Sequence, residues 1–270
     1  MPDTKKLRNR IRSVNSTLHL THAMELVASS KIRRASERMA ASAAHAKAFR
    51  SAMQILTASG ACDRSVWMKP RETGKTLLVV VAGDRGLAGG YNANIFRAMR
   101  DWPDAEVIPV GKRACDRWPR EDEDRMLAET FSVEQANALA QRLCQAFTEE
   151  EVSRVGILYT HYVSMISQVP ELRWLLPLTP GGAVIRSQVV FEPNETEILN
   201  AAVPTYVAGQ LAACVRESFA CEVASRRNAM DSAGKNAQEM IETLQLAYNR
   251  ARQGAITQEI TEIVAGGNAQ

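Results

Sequence analysis

No proline or glycine interrupts the chain between Pro2 and Gly60, and apolar residues recur there every three or four positions. A seam starting at Leu7 runs through Ile11, Val14, Leu18, Thr21, Glu25, Ala28, Ile32, Ala35, Met39, Ser42, Ala46, Phe49, Met53 and Leu56. Twelve of these fifteen positions are apolar, which marks a sustained heptad seam rather than one face of a short globular helix. Such a helix extends roughly 80 Å at 1.5 Å per residue, and its stripe is too narrow to fold alone. A second unpartnered seam closes the chain. Met230, Ala233, Ala237, Met240 or Ile241, Leu244, Ala247 or Tyr248 and Ala251 recur at steps of three and four, and their many alanines allow close approach of two helices. The two seams predict an antiparallel coiled coil built from both termini.

The middle of the chain alternates strand and helix. Residues 76–82, 105–111 and 154–159 are short runs rich in β-branched residues, and helical patterns cover 91–100 and 132–150. This is the pattern of an α/β domain with a largely parallel sheet. The stretches "VPELRWLLPLTPGG" and "EPNETEILNAAVPT" carry turn residues that favour edge strands or loops before a last helix without proline from Thr205 onward. The expected organisation is a helix over 1–60, a Rossmann-like α/β domain over 61–204 and a helix over 205–270.

Charge narrows the choice of partners. Residues 1–60 hold eleven Lys and Arg against three acids, while the whole chain is only +3. A basic first segment implies an acidic protein surface, a nucleic acid or an anionic membrane. The longest apolar runs fall well short of the roughly twenty residues of a membrane span, and the N-terminus lacks a secretion-signal core. A cytoplasmic protein is expected, with Cys62, Cys115, Cys144, Cys214 and Cys221 as reduced, partly buried thiols.

The segment "LLVVVAGDRGLAGGYNANIFRAM" (77–99) has the order strand, glycine-rich turn, helix by which many proteins hold a phosphate. Its glycines follow G-x-x-G-x-x-G-G, which is not the dinucleotide spacing. "KPRETGKT" has Lys69 where a P-loop needs its first glycine, and it precedes the strand. The glycines Gly83, Gly86, Gly89 and Gly90 then allow a tight strand-to-helix turn, from which Asp84 and Arg85 project to meet a partner. His19, His22 and Glu25 share a helix face without a completed metal shell, so a structural or interface role is expected. "REDEDR" (120–125) reads as a solvated loop. No Ser, Cys or His arrangement suggests nucleophilic catalysis. The C-terminal stretch "YNRARQGAITQEITEIVAGGNAQ" mixes polar residues with Ile256, Ile260 and Ile263, as in a helix end made to be surrounded.

Three ordered stretches carry a resemblance: residues 11–35, "GDRGLAGGYNANIF" (83–96) and 228–267. They resemble the gamma subunit of F-type ATP synthases. Ala88 stands where that family often has a cysteine, His19 and His22 where lysines are common, and the chloroplast regulatory insertion is absent. These departures point to a divergent or alternate-operon form. The resemblance implies a coiled-coil shaft on a Rossmann-like foot, turning inside a hexamer of alpha and beta subunits. The foot would rest on the membrane ring of c subunits with the epsilon subunit, at the cytoplasmic face of a bacterial inner membrane. By the same resemblance Met24 and Lys31, continued by Arg33 and Arg34, contact the beta subunits, whose lever is acidic. Arg252, Gln253, Thr257, Glu259 and Glu262 would meet the hexamer's inner sleeve. It implies no catalytic residue, metal, cofactor, nucleic acid or bound nucleotide in this chain. The competing readings are a free nucleotide-binding α/β protein with a coiled-coil dimerisation arm and, less favoured, a basic nucleic-acid binder, whose Arg8, Arg10 and Arg12 lack interleaved aromatics.

Overall fold

The structure, a computed structural model, describes residues 2–58, 62–71, 73–120, 125–179 and 191–267, with side chains at 4–264 of these. Most of "REDEDR" and residues 180–190 lie outside the described residues. Helix α1 spans Pro2–Thr57 and α5 spans Glu195–Gly267. Between them come β1 (Lys75–Val81), α2 (Tyr91–Ala98), β2 (Glu106–Val110), α3 (Lys112–Arg117), α4 (Val133–Thr148), β3 (Val152–Tyr162) and β4 (Gln168–Leu176).

The chain divides into two compact units, residues 1–28 with 226–270 and residues 29–225. In the first, the seam of α1 faces α5, and Gly234 sits against Leu18 and Thr21. Met230, Ala237 and Ile241 are buried and Leu244, Tyr248 and Ala251 half-buried, so Ile241 and Tyr248, not Met240 and Ala247, take the seam. Burial on α5 ends at Ala255, whereas on α1 it begins as early as Thr4, and this staggering leaves residues 256–264 exposed.

In the second unit α1 and α5 also run antiparallel. Gln210, fully buried, donates to the carbonyl of Ala46 at 3.0 Å and accepts from Arg50 at 2.7 Å. Across both units, every one of the fifteen seam positions of α1 is buried or half-buried.

The sheet of the second unit has the order β2-β1-β3-β4, with β1 parallel to both neighbours and β4 antiparallel at the edge. Pro170 is tolerated on that edge strand, where one side of the ladder has no partner. Central strand β1 is apolar on both faces, as a covered parallel strand requires. Leu77, Val79 and Val81 join the main core with Phe147 of α4, Leu211 of α5 and Met53 of α1, while Leu78 and Val80 pack with Ile95 and Met99 on the other face. Helix α4 starts on a full capping box between Ser132 and Gln135, which explains its sharp onset.

The last helix begins ten residues before the sequence expectation. Asn194 caps it, accepting from the Glu197 amide at 2.9 Å while its side-chain amide reaches Glu197 Oε1 at 2.8 Å. Pro204 lies inside the helix, a placement that costs about 3 kcal/mol. Leu199, Val203, Val207 and Leu211 are fully buried on one face, and each contributes roughly 1.5–3 kcal/mol, so packing outweighs the proline. Helix α5 also carries an 18-residue window long and apolar enough to cross a membrane, but 56% of that window is buried inside the protein, as in a core helix.

Candidate functional site

The glycine loop leaves β1 at Ala82, whose amide donates to Val110 O at 2.9 Å. The Gly83 amide donates to Asn92 Oδ1 at 2.8 Å. The next two amides, of Asp84 and Arg85, donate to the two oxygens of one carboxylate, Glu222 of α5, each at 3.1 Å. Successive backbone N–H groups converging in this way form an anion-binding nest. The anion it holds is the chain's own side chain, only 1% exposed. Gly83 is required by this closeness, because a Cβ there would lie 2.9 Å from the Glu222 carboxyl carbon. Gly89 has a φ of +55°, which turns the chain into α2. Gly86 lies beside the Arg113 guanidinium, and Gly90 accepts the first helical hydrogen bond, from Asn94.

Buried polar groups continue the connection from loop to α5. Tyr91 donates to Ser218 O at 2.8 Å, and its hydroxyl lies 2.8 Å from Ser218 Oγ. Ser218 Oγ accepts from the Thr160 amide at the end of β3, at 3.1 Å. Burial, reinforced by the nearby Glu222 charge, pushes the Tyr91 phenol far above its usual range, so it stays protonated. Beyond it, Glu217 accepts from the Tyr162 amide at 3.0 Å and lies 2.6 Å from His161 Nδ1. Glu171 accepts from Tyr159 at 2.9 Å and Arg173 at 2.8 Å. Burial alone would raise the Glu171 carboxyl, but those hydrogen bonds hold it below the usual carboxylate range.

Asp84 does not project as a partner contact. It is half-buried, and its carboxylate accepts from the amides of Lys112 and Ala128 at 3.1 Å and of Glu129 at 2.7 Å. Arg85 is exposed, as expected, and lies 3.7 Å from Glu129 Oε2. Lys31 pairs with the other oxygen of Glu129 at 2.5 Å. The fold therefore brings Lys31, Asp84 and Arg85 around one acidic residue that sequence reasoning did not single out. Arg33 is exposed and pairs with Glu37 at 3.2 Å; Arg34 is exposed, and Met24 is half-buried on α1. On α5, Arg252, Gln253, Thr257, Glu259 and Glu262 are all exposed. Their bonds are local, Thr257 to Gln253 O at 2.9 Å and Gln258 to Glu262 at 3.0 Å. Among them Ile256, Ile260, Ile263 and Val264 are 46–73% exposed, so the helix end carries large apolar side chains in solvent.

Glu222 also escaped sequence reasoning, although a signal was present: a single carboxylate within the apolar run "FACEVA" of a core helix. The five cysteines are all buried, and burial pushes the thiols of Cys144 and Cys214 up to about 12, far from nucleophilic range.

A paired-helix arm, an α/β body whose phosphate-type loop is filled from within, and an exposed apolar helix end define a protein that acts by contact. Comparison with known proteins agrees. The profile of the ATP synthase family matches residues 3–269. The ATP synthase gamma chain of Geotalea daltonii is 35% identical over 284 residues, covering 100% of this chain and 99% of that one. That of Ruminococcus albus is 36% identical over 280 residues, covering 97% of each. The fold matches a chain of the Euglena gracilis mitochondrial ATP synthase (OSCP/F1/c-ring, rotational state 3) with a TM-score of 0.69 at 16% identity, covering 99% of this chain and 94% of that one. The chain belongs to the ATP synthase gamma-chain family, the non-catalytic central-stalk subunit of a rotary, membrane-associated complex.

Proposed function

We propose that this chain turns inside a hexamer of alpha and beta subunits and couples ion flow through a membrane ring to ATP synthesis or hydrolysis at the beta subunits. The foot bears on the ring of c subunits and on the epsilon subunit, at the cytoplasmic face of a bacterial inner membrane. The single observation that carries this reading is the end of α5, where four large apolar residues stand exposed among polar ones beyond the reach of α1. Such a segment is suited to a surrounding sleeve, contacted through Arg252, Gln253, Thr257, Glu259 and Glu262. Met24, Lys31, Arg33 and Arg34 are assigned to the beta subunits, and Arg85 to the hexamer's lower rim.

The physical content is differential contact. A shaft that is not threefold symmetric presents a different face to each beta subunit and biases its conformational equilibrium. Moving a two-state site from almost wholly one state to the other takes roughly 5.5 kcal/mol of differential interaction, a modest demand on an interface of this kind. No nucleotide binds at the glycine loop in this reading, because Glu222 holds its donors. Purification of the complex through a tag on this chain tests the assignment. Alpha and beta subunits recovered at three copies each per copy of this chain support it, and a chain recovered alone refutes it.

A further inference from the structure

Within the 29–225 unit, α1, α5 and residues 128–131 surround an open cavity of about 330 Å³. Ala35, Ala128, Phe131 and Phe219 form apolar walls, and Arg38 and Arg216 also line it. Arg216 is half-buried, and its Nη1 donates to Ser42 Oγ at 2.5 Å. Ser42 in turn donates to the Arg38 carbonyl at 2.8 Å, so its one hydroxyl proton is committed. Among the described residues neither guanidinium is paired with a carboxylate.

A guanidinium carries five N–H donors in a planar fork, and one neutral hydroxyl leaves most of that fork unused. Withdrawing a cation from water is unfavourable unless an anion compensates. Glu129 also lines the cavity, but it is already paired with Lys31 and Arg85. The lining thus presents two guanidinium cations and one carboxylate, and that carboxylate is engaged outside the cavity by Lys31 and Arg85.

We propose that this cavity is an oxyanion site for a compact phosphate-class dianion, with the fork of Arg216 as its floor and Arg38 closing over it. The planar fork matches two phosphate oxygens, whereas a lone carboxylate would leave Arg38 unanswered. The volume exceeds that of phosphate itself and lies at the lower end of small-ligand pockets, which leaves room for a short apolar substituent against Phe131 and Phe219. The site is distinct from the Glu222 nest, although Ala128 and Glu129 on its rim are held by Asp84 of the glycine loop, and binding in it is independent of the proposed rotation.

Calorimetric titration of the purified full chain with inorganic phosphate and with phenyl phosphate, at constant ionic strength, tests this. The full chain alone excludes phosphate sites on other subunits. The expected result is saturable one-to-one binding, weakened at least tenfold by Arg216→Gln and several-fold by Arg38→Gln, with helical circular dichroism unchanged. Tighter binding of phenyl phosphate identifies an ester as the ligand, and equal binding identifies inorganic phosphate. Arg38 is exposed, so its variant keeps the test valid if Arg216→Gln disturbs packing. Arg100→Gln, which removes an exposed charge outside the cavity, leaves binding unchanged. No saturation with either probe, an equal loss in Arg100→Gln, or saturable binding of an acidic peptide alone overturns the proposal.

Discussion

Lys31 Nζ lies 2.5 Å from Glu129 Oε1, so a lysine assigned to a partner subunit is already held by a carboxylate of its own chain. The other oxygen of Glu129 faces Arg85 at 3.7 Å, and Asp84 grips the Glu129 amide at 2.7 Å. One acidic residue thus ties α1 to the glycine loop while competing for the cation that an acidic partner would seek.

That competition is measurable. Both partners of the Lys31–Glu129 pair are about one-third exposed, so Glu129→Gln is expected to change the stability of the chain by no more than about 1 kcal/mol. Its effect falls on association instead. Dissociation of the variant from the alpha–beta hexamer, followed at low salt, is expected to be slower because Lys31 is released. Unchanged dissociation rules out the competition.

The Glu222 nest predicts a steep stability cost. Glu222→Ala strands two inward-facing amides, and each unsatisfied donor costs about 1–3 kcal/mol. Gly83→Ala forces a methyl to within 2.9 Å of the Glu222 carboxyl carbon and is expected to cost about 1–3 kcal/mol. Urea unfolding of the full chain measures both. In the same preparations, ATP is expected not to bind the wild-type chain, and micromolar binding abolished by changing Gly86 would restore the nucleotide-binding reading.

Acid sensitivity follows from Glu171. Its folded carboxyl titrates below the unfolded value, so its contribution is complete above the ordinary glutamate pKa, about 4.3, and disappears as pH falls through the lower folded value. The stability difference between wild type and Glu171→Gln should therefore be largest near neutrality and shrink below about pH 4. A difference independent of pH contradicts the assignment of the shift to the Arg173 and Tyr159 hydrogen bonds.

Much of this fold is legible because it rests on local periodicity. The α1 seam, the three parallel strands β1, β2 and β3 and the helices after Gly90 and Ser132 are written in neighbouring residues. The start of α5 was hidden by Pro204, although Asn194 followed by Glu197 is a helix-start pattern, and the burial of four aliphatic residues decided the outcome. The site was less legible. The spacing of the glycines already spoke against a nucleotide, but the occupant of the loop is a residue of α5 more than 130 positions away. Likewise Asp84 looks like an exposed turn residue until the 128–129 segment closes over it. Pairings of that range leave no periodic trace in one sequence.

The exposed end of α5 should matter to coupling more than to assembly. Deleting residues 253–270 spares the stripe through Ala251, so the complex is expected to assemble and hydrolyse ATP while ATP-driven ion pumping falls. Pumping equal to the full-length complex would remove the tail from torque transmission.

A rotor can be watched turning. The five native cysteines are buried, so Arg100→Cys offers a single exposed attachment point on the α/β unit for a bead. With the beta subunits fixed to a surface, sustained rotation in one direction is expected, starting with ATP and stopping when ATP is withdrawn. A bead that only fluctuates about one orientation while the same complexes hydrolyse ATP would contradict the rotor role.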